Sequence, residues 1–231
     1  MSLSIILYYI NLFNKLANKK IKTIFYKNQN PIKPHSPNNK MITTLFLILA
    51  IITTLSIYIK TKKIKTLSQH QGIRLYNQAF LFFAISYILQ FLTSTSSLTI
   101  AKLSILQALT SPIQTYLFVV AALYLSASLF WKNKTKNQSQ LHIIALLVVI
   151  LNNFTEILTL TLITIYTYST IVAYTNYQTK KSTFSQLYLI AIFLLVLANL
   201  SSIFYNLYSS YSMTITAFSI FLYGTLKTIP N

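Results

Sequence analysis

The strongest constraint on this chain is the way apolar runs and clustered cations alternate along it. Runs such as Leu75 to Leu92, LYNQAFLFFAISYILQFL, carry no charge. They recur about every 25–35 residues, roughly the ~20 residues that cross ~30 Å of hydrocarbon plus a short connection. With 54% hydrophobic residues in a 231-residue chain, a soluble core could not bury them all. The expected fold is all-α: a polytopic membrane helix bundle of about seven transmembrane helices.

The charge sits between the runs. The basic connector Lys60, Lys62, Lys63, Lys65 and Arg74 precedes Leu75, Lys132, Lys134 and Lys136 follow Trp131, and Lys180 and Lys181 precede Phe184. Connectors after spans one, three, five and seven hold five, three, two and one cations, whereas those after spans two, four and six hold only Lys102. Clustered lysine and arginine resist translocation, so this bias puts the start of the first span outside and the C-terminus in the cytoplasm. The expected location is the cell membrane, with an organelle inner membrane as the alternative. A net charge of +18 would on a soluble surface suggest nucleic acid. Beside apolar runs it points instead to the lipid bilayer, with anionic headgroups on the cytoplasmic face meeting these same side chains, and to other membrane proteins as partners.

In chain order, Ser2 to Phe13 is apolar but too short to span. Lys15, Lys19 and Lys22 share a helical face that suits a membrane surface, a disordered basic tail being the alternative. Asn28 to Lys40 carries Pro31, Pro34 and Pro37 and reads as an extended linker. Residues 1–40 thus form a basic, proline-rich tail ahead of a seven-span domain over 41–231. Seven lysines in that tail conflict with an outside start. Either translation begins at Met41 or the tail meets something anionic outside.

Span one is expected over Met41 to Ile59 and span two over Leu75 to Leu92. Leu98 to Leu109 reads as a short helix on the outer surface, after which Ser111-Pro112 opens span three, Pro112 to Phe130. Leu141 to Tyr174 is too long for one span and divides at Asn152, Asn153 and Glu156 into a short fourth helix, Leu141 to Leu151, and a fifth, Ile157 to Tyr174. Phe184 to Ile203 is the sixth. A turn containing Tyr205, Tyr208 and Tyr211 leads to the seventh, Met213 to Leu226.

The residue inventory excludes much chemistry. One acid, Glu156, and no cysteine leave no carboxylate pair, no Ser-His-Asp triad and no thiol nucleophile. His35, His70 and His142 have no metal-ligand spacing and read as interfacial polar residues. No metal or cofactor site is expected. Gly72 and Gly224 are the only glycines, which excludes a phosphate loop and a GxxxG packing face. Lys227 lies at the end of span seven, where it could not hold a retinal Schiff base. Glu156, next to the start of helix five, suits a helix cap better than cation coupling. Thr159, Thr161, Thr164 and Thr167 can bond back to their own helix. The remaining polar set, Tyr87, Gln90, Gln114, Asn199 and Asn206 with Tyr205, lies in the outer halves of spans. Amides in lipid need partners, so these residues are expected to meet either as interhelical contacts, the commoner outcome, or as the lining of an outward vestibule.

IRLYNQAFLFFAISYILQFL, Ile73 to Leu92, and YLFVVAALYLSASLFWKNK, Tyr116 to Lys134, resemble an uncharacterised family of small multi-pass membrane proteins in archaea, over roughly spans one to four. The shared pattern is a polar-aromatic opening of the second helix, an AFLFFA-type centre and a YxxxF exit. Members often carry an arginine near that exit, where this chain has Gln90. The resemblance implies a seven-helix archaeal membrane protein and brings no activity. The functional expectation is a non-enzymatic, receptor-like, scaffold or accessory membrane protein. The alternative is a passive or anion-tolerant small-molecule transporter using the outward polar set.

Overall fold

The computed structural model describes residues 37–67, 70–95, 100–130, 138–152, 157–204 and 207–228. The chain divides into two units, Met1–Thr43 and Thr44–Asn231. Of the first, the described residues are the opening of a helix; the second carries the bundle.

Among the described residues seven α-helices follow one another: α1 Pro37–Leu67, α2 Gln71–Thr95, α3 Ile100–Ala127, α4 Gln138–Asn152, α5 Leu158–Lys180, α6 Thr183–Ile203 and α7 Leu207–Thr228. A 3-10 turn, Ser128–Phe130, finishes α3, and no strand occurs among the described residues. Five helices are long and apolar enough to cross a membrane, through Met41–Ile64, Gln71–Thr95, Thr110–Phe130, Leu158–Lys180 and Thr183–Ile203. At 15 residues, α4 is only about 22 Å long, short of the hydrocarbon thickness. The 22 residues of α7 have the length, but Ser209, Ser210, Ser212, Thr214 and Thr216 dilute its apolar character. The expected all-α bundle of seven helices is thus observed, five of the helices being long and apolar enough to span among the described residues, with α4 packed on α3 and α7 on α6.

Large apolar side chains face outward on these helices, among them Leu49 and Ile52 on α1, Ile171 on α5 and Phe193 on α6, each at least 47% exposed. Lone exposed leucines are ordinary, but apolar residues turned outward along helix after helix are what hydrocarbon solvates. The chain is a membrane-embedded helical protein.

Several expected boundaries move. The basic connector is not a loop: α1 continues through Lys60, Lys62, Lys63 and Lys65, and Arg74 lies in the first turns of α2. Lysine is a good helix former, and cations complement the negative C-terminal end of a helix dipole, so nothing in this stretch stops α1. The proline linker likewise ends early, because Pro37 opens α1, where its missing N–H is not needed. Pro112 does the opposite of what its position suggests and lies inside α3. No separate surface helix precedes it: Ile100–Ala127 is continuous, about 42 Å of helix. An internal proline is tolerated at membrane depth when neighbouring groups re-satisfy the freed carbonyl. Tyr208 and Tyr211 belong to α7 and not to a turn. The division of Leu141 to Tyr174 into two helices holds, and α5 runs on to Lys180.

Helices approach where side chains are small. Ala50, Ala79, Ala121, Ala122, Ala191 and Ala217 are all completely buried. Between them lies an aromatic core. Phe80 meets Phe218 and Phe221, Tyr87 packs edge-on to Phe118 at 5.2 Å and Phe218 at 6.0 Å, and Phe46 stacks on Tyr211 at 4.1 Å. Such pairs contribute about 0.5–1.5 kcal/mol each beyond their buried area. The α5–α6 connection is only Lys181 and Ser182: Lys181 adopts the left-handed conformation (φ 46°, ψ 28°) with its N–H on Tyr177 O, and the Ser182 side chain caps α6 by accepting from Ser185 N–H.

Gly224 is buried in α7 against α6, where an added Cβ would lie 3.6 Å from Leu187 Cδ1 and 3.6 Å from Phe184 Cδ2, ordinary contact distances. Gly224→Ala should therefore fold normally and gain up to about 1 kcal/mol of helix propensity, whereas Gly224→Leu should destabilise by about 1–3 kcal/mol through overpacking. Unfolding in mixed micelles, read by circular dichroism, measures both.

Candidate functional site

Side-chain contacts fix the alternation of the helices. Late α1 meets early α2, late α3 meets early α6 and late α5, and early α2 meets late α7. One end of the bundle thus gathers the exposed Lys60, Lys62, Lys63, Arg74, Lys180, Lys181 and Lys227, and is the basic end.

The hydrogen bonds that tie helices together cluster in the half nearest that end. Asn77, 1% exposed, donates from Nδ2 to Tyr58 O at 2.8 Å and to Thr61 Oγ1 at 2.7 Å, joining α2 to α1. Tyr76 OH lies 3.3 Å from Thr225 Oγ1, joining α2 to α7. Tyr188 donates to Leu125 O at 2.8 Å and lies 3.0 Å from Ser128 Oγ, joining α6 to α3. Ser169 reaches Ser126 Oγ at 2.8 Å, and Asn176 donates to Leu129 O at 3.3 Å, both joining α5 to the end of α3.

Beside these contacts lies a cavity of about 430 Å³, a volume typical of small-molecule sites. Tyr76, Ala173, Tyr188 and Thr225 form its buried floor; His70, Lys180, Ser182 and Phe184 are exposed at its mouth. Five helices and the 3-10 turn contribute to the lining, so it exists only once the bundle is assembled. Folding is thus what brings α2, α5 and α6 residues, far apart in sequence, around one space.

The expected outer polar set is not brought together in the same way. Tyr87 is buried in the aromatic core, against Phe46, Phe118 and Phe218. Asn199 donates to Leu195 O of its own helix, so that amide bond joins no second helix. Gln114 Nε2 is buried without a hydrogen-bond partner, Gln90 is half-buried on α2, and Asn206 and Tyr205 lie outside the described residues. None of the described four lines the cavity. Glu156, Lys132, Lys134 and Lys136 also lie outside the described residues; the first N–H of α5, from Leu158, is accepted by Asn152 Oδ1 at 3.0 Å. Thr164 bonds back to Leu160 O as its composition predicts.

His142 is more than an interfacial polar residue. Its Nδ1 is 2.7 Å from Tyr116 OH and its Nε2 2.8 Å from Tyr124 OH, so both ring nitrogens are held by α3. One nitrogen of a neutral imidazole donates and the other accepts, and a tyrosine hydroxyl can serve either. The two tyrosines stand eight residues apart, two helical turns on one face, and that spacing was the sequence signal for the bridge. Only Ala145 and Val148 of α4 are buried, so the bridge is the main polar anchor of that helix. Among the described residues no group of three potential ligand side chains could hold a metal ion.

Comparison with protein-family models, curated proteins and solved structures gives no match, so the chain's own residues carry the functional argument.

Two outcomes follow. Asn77→Ala should lower stability by about 1–2 kcal/mol, since it removes two interhelical bonds at membrane depth, while Asn199→Ala should change it by less than about 0.5 kcal/mol; unfolding in mixed micelles compares them. His142→Phe should leave the rest of the bundle intact but speed amide exchange in residues 138–152 by about tenfold, as read by hydrogen exchange and mass spectrometry.

Proposed function

We propose that the protein is a receptor-like or accessory membrane protein that holds a ligand in the basic-end cavity without chemically changing it. The carrying observation is that cavity: a space of about 430 Å³ assembled from six structural elements, with a buried aromatic floor and a mouth bearing His70 and Lys180. Its chemistry suits binding. The lining offers hydroxyls, an amide, one imidazole and one amine, and no acid. Among the described residues that line the cavity, the imidazole of His70 has no carboxylate beside it to complete a general acid/base pair.

The cation bias orients the molecule in this reading, with the basic end and the C-terminus in the cytoplasm and the cell membrane as its location. The cavity then opens inward, and the surrounding lysines contact anionic headgroups. Placement among the archaeal membrane proteins that Ile73–Leu92 and Tyr116–Lys134 resemble accords with seven helices and assigns no ligand.

A transporter is the second reading, and one observation favours it. Gln114 Nε2 is buried and unpartnered two residues beyond Pro112, near the start of the Thr110–Phe130 spanning stretch and away from the cavity. A polar group left unsatisfied there would suit an outward path that fills with water in another state.

The chain has no cysteine, so single substitutions separate the readings. Ser128→Cys and Ser185→Cys should react with a membrane-impermeant thiol reagent in inside-out vesicles and stay silent in intact cells; Gln90→Cys and Gln114→Cys should stay silent in both. Reaction of the glutamine variants in intact cells would establish the outward vestibule and replace the receptor reading with the transporter.

A further inference from the structure

The polar groups of the cavity are not evenly placed. On the floor, Tyr188 OH is committed to Leu125 O and Ser128, Tyr76 OH to Thr225, and the Thr61 and Thr225 hydroxyls to carbonyls of their own helices, Ile57 O and Phe221 O. Those four side chains therefore present ring carbon and methyl groups to the space, beside the methyl of Ala173. The mouth differs in charge. Lys180 and His70 stand there with Ser182 and Ser185, whose hydroxyls are bonded to each other, at the start of α6, the positive end of a helix dipole. Asn176, bonded through its Nδ2 to Leu129 O, retains its amide oxygen. An apolar interior under a cationic rim selects a molecule with the same asymmetry, at a depth where the basic end of the bundle would meet the headgroup layer.

Resting on the receptor reading, we propose that the cavity takes an anionic amphiphile, with its apolar tail on the Tyr76–Ala173–Tyr188 floor and its negatively charged head between Lys180 and His70. Bilayer phospholipid and a soluble alkyl phosphate share this chemistry. A zwitterionic or sugar-headed amphiphile of equal length lacks the net charge that the rim selects, and a bare anion lacks the part that the floor binds. Neither should compete.

The test uses the full chain carrying Ser185→Cys, purified in a sugar-headed non-ionic detergent, and reads its rate of reaction with a water-soluble maleimide. Dodecyl phosphate should slow that reaction about tenfold, inorganic phosphate should not, and Ser139→Cys, on exposed α4 surface near the basic end but outside the cavity lining, should be unaffected. Lys180→Gln combined with His70→Gln should raise the protecting concentration about tenfold, equivalent to about 1.4 kcal/mol. In nanodiscs, slowing by phosphatidic acid relative to phosphatidylcholine supports the proposal and identifies the bilayer as source; slowing by added dodecyl phosphate alone supports it with a soluble source. Equal slowing at Ser139→Cys, or protection unchanged by the double substitution, would show charge adsorbing to the micelle and overturn the proposal. A reactive Ser185→Cys that dodecyl phosphate leaves unprotected overturns the amphiphile but leaves the receptor reading standing. A Ser185→Cys that reacts only after denaturation shows a closed cavity and removes both.

Discussion

A carboxamide sealed away from water costs free energy until it is bonded, and Asn77 is where this bundle meets that demand in full. Both protons of its amide end on α1, one on the Tyr58 carbonyl and one on the Thr61 hydroxyl, while Thr61 passes its own proton to Ile57 O. The chain of donors closes within two helices. The same economy recurs where Tyr188 reaches the carbonyl of Leu125 and Asn176 that of Leu129, both near the C-terminal end of α3, the end at which helix carbonyls run out of intrahelical donors. The last turn of α3 and the 3-10 turn that follows it thus serve as a junction: Leu125 O and Ser128 Oγ hold α6, Leu129 O holds α5, and the cavity forms beside them.

The remainder of the packing reflects a chain with almost no glycine. Close helix crossings in membranes usually rely on small residues, and here alanine takes that part, with aromatic rings filling the wider gaps. Rings are rigid and retain few rotamers to lose, so a core of Phe80, Phe83, Tyr87, Phe118 and Phe218 gives dispersion contact at low entropy cost. It also makes the half of the bundle away from the basic end drier than its tyrosine and glutamine content suggests: Tyr87 is enclosed by rings, not by water.

Hydropathy and periodicity made the helices legible, because crossing lipid demands long apolar stretches and little else. The ends were less so. Charge marks where a span leaves hydrocarbon but not where a helix stops, which is why α1 runs on through Lys60, Lys62 and Lys63, and why Pro112 could be taken for a start when it lies inside α3. The cavity was scarcely visible. Thr61, Tyr76, Ser128, Asn176 and Tyr188 fall in five separate segments, and only three-dimensional closure unites them. Polar residues in outer halves attracted attention because amides stand out in apolar runs, yet Asn199 turns back on its own helix, an option available to any amide one turn beyond a carbonyl. The His142 bridge was legible in principle, from two tyrosines two turns apart on one helix and a histidine early on the next.

The left-handed turn at Lys181 bears on how such a bundle is assembled. Most chains place glycine in that conformation; a lysine there costs roughly 1–2 kcal/mol of backbone strain, and the sequence has only two glycines to offer. The strained residue is also one of the cations that resist passage across the membrane. With two residues between α5 and α6, the two helices are tied in depth and register as one hairpin, and the charge of Lys181 stands at its tip. Backbone conformation and local charge therefore meet in one side chain, so an exchange to glycine that relaxed the turn would also take a cation from the basic end.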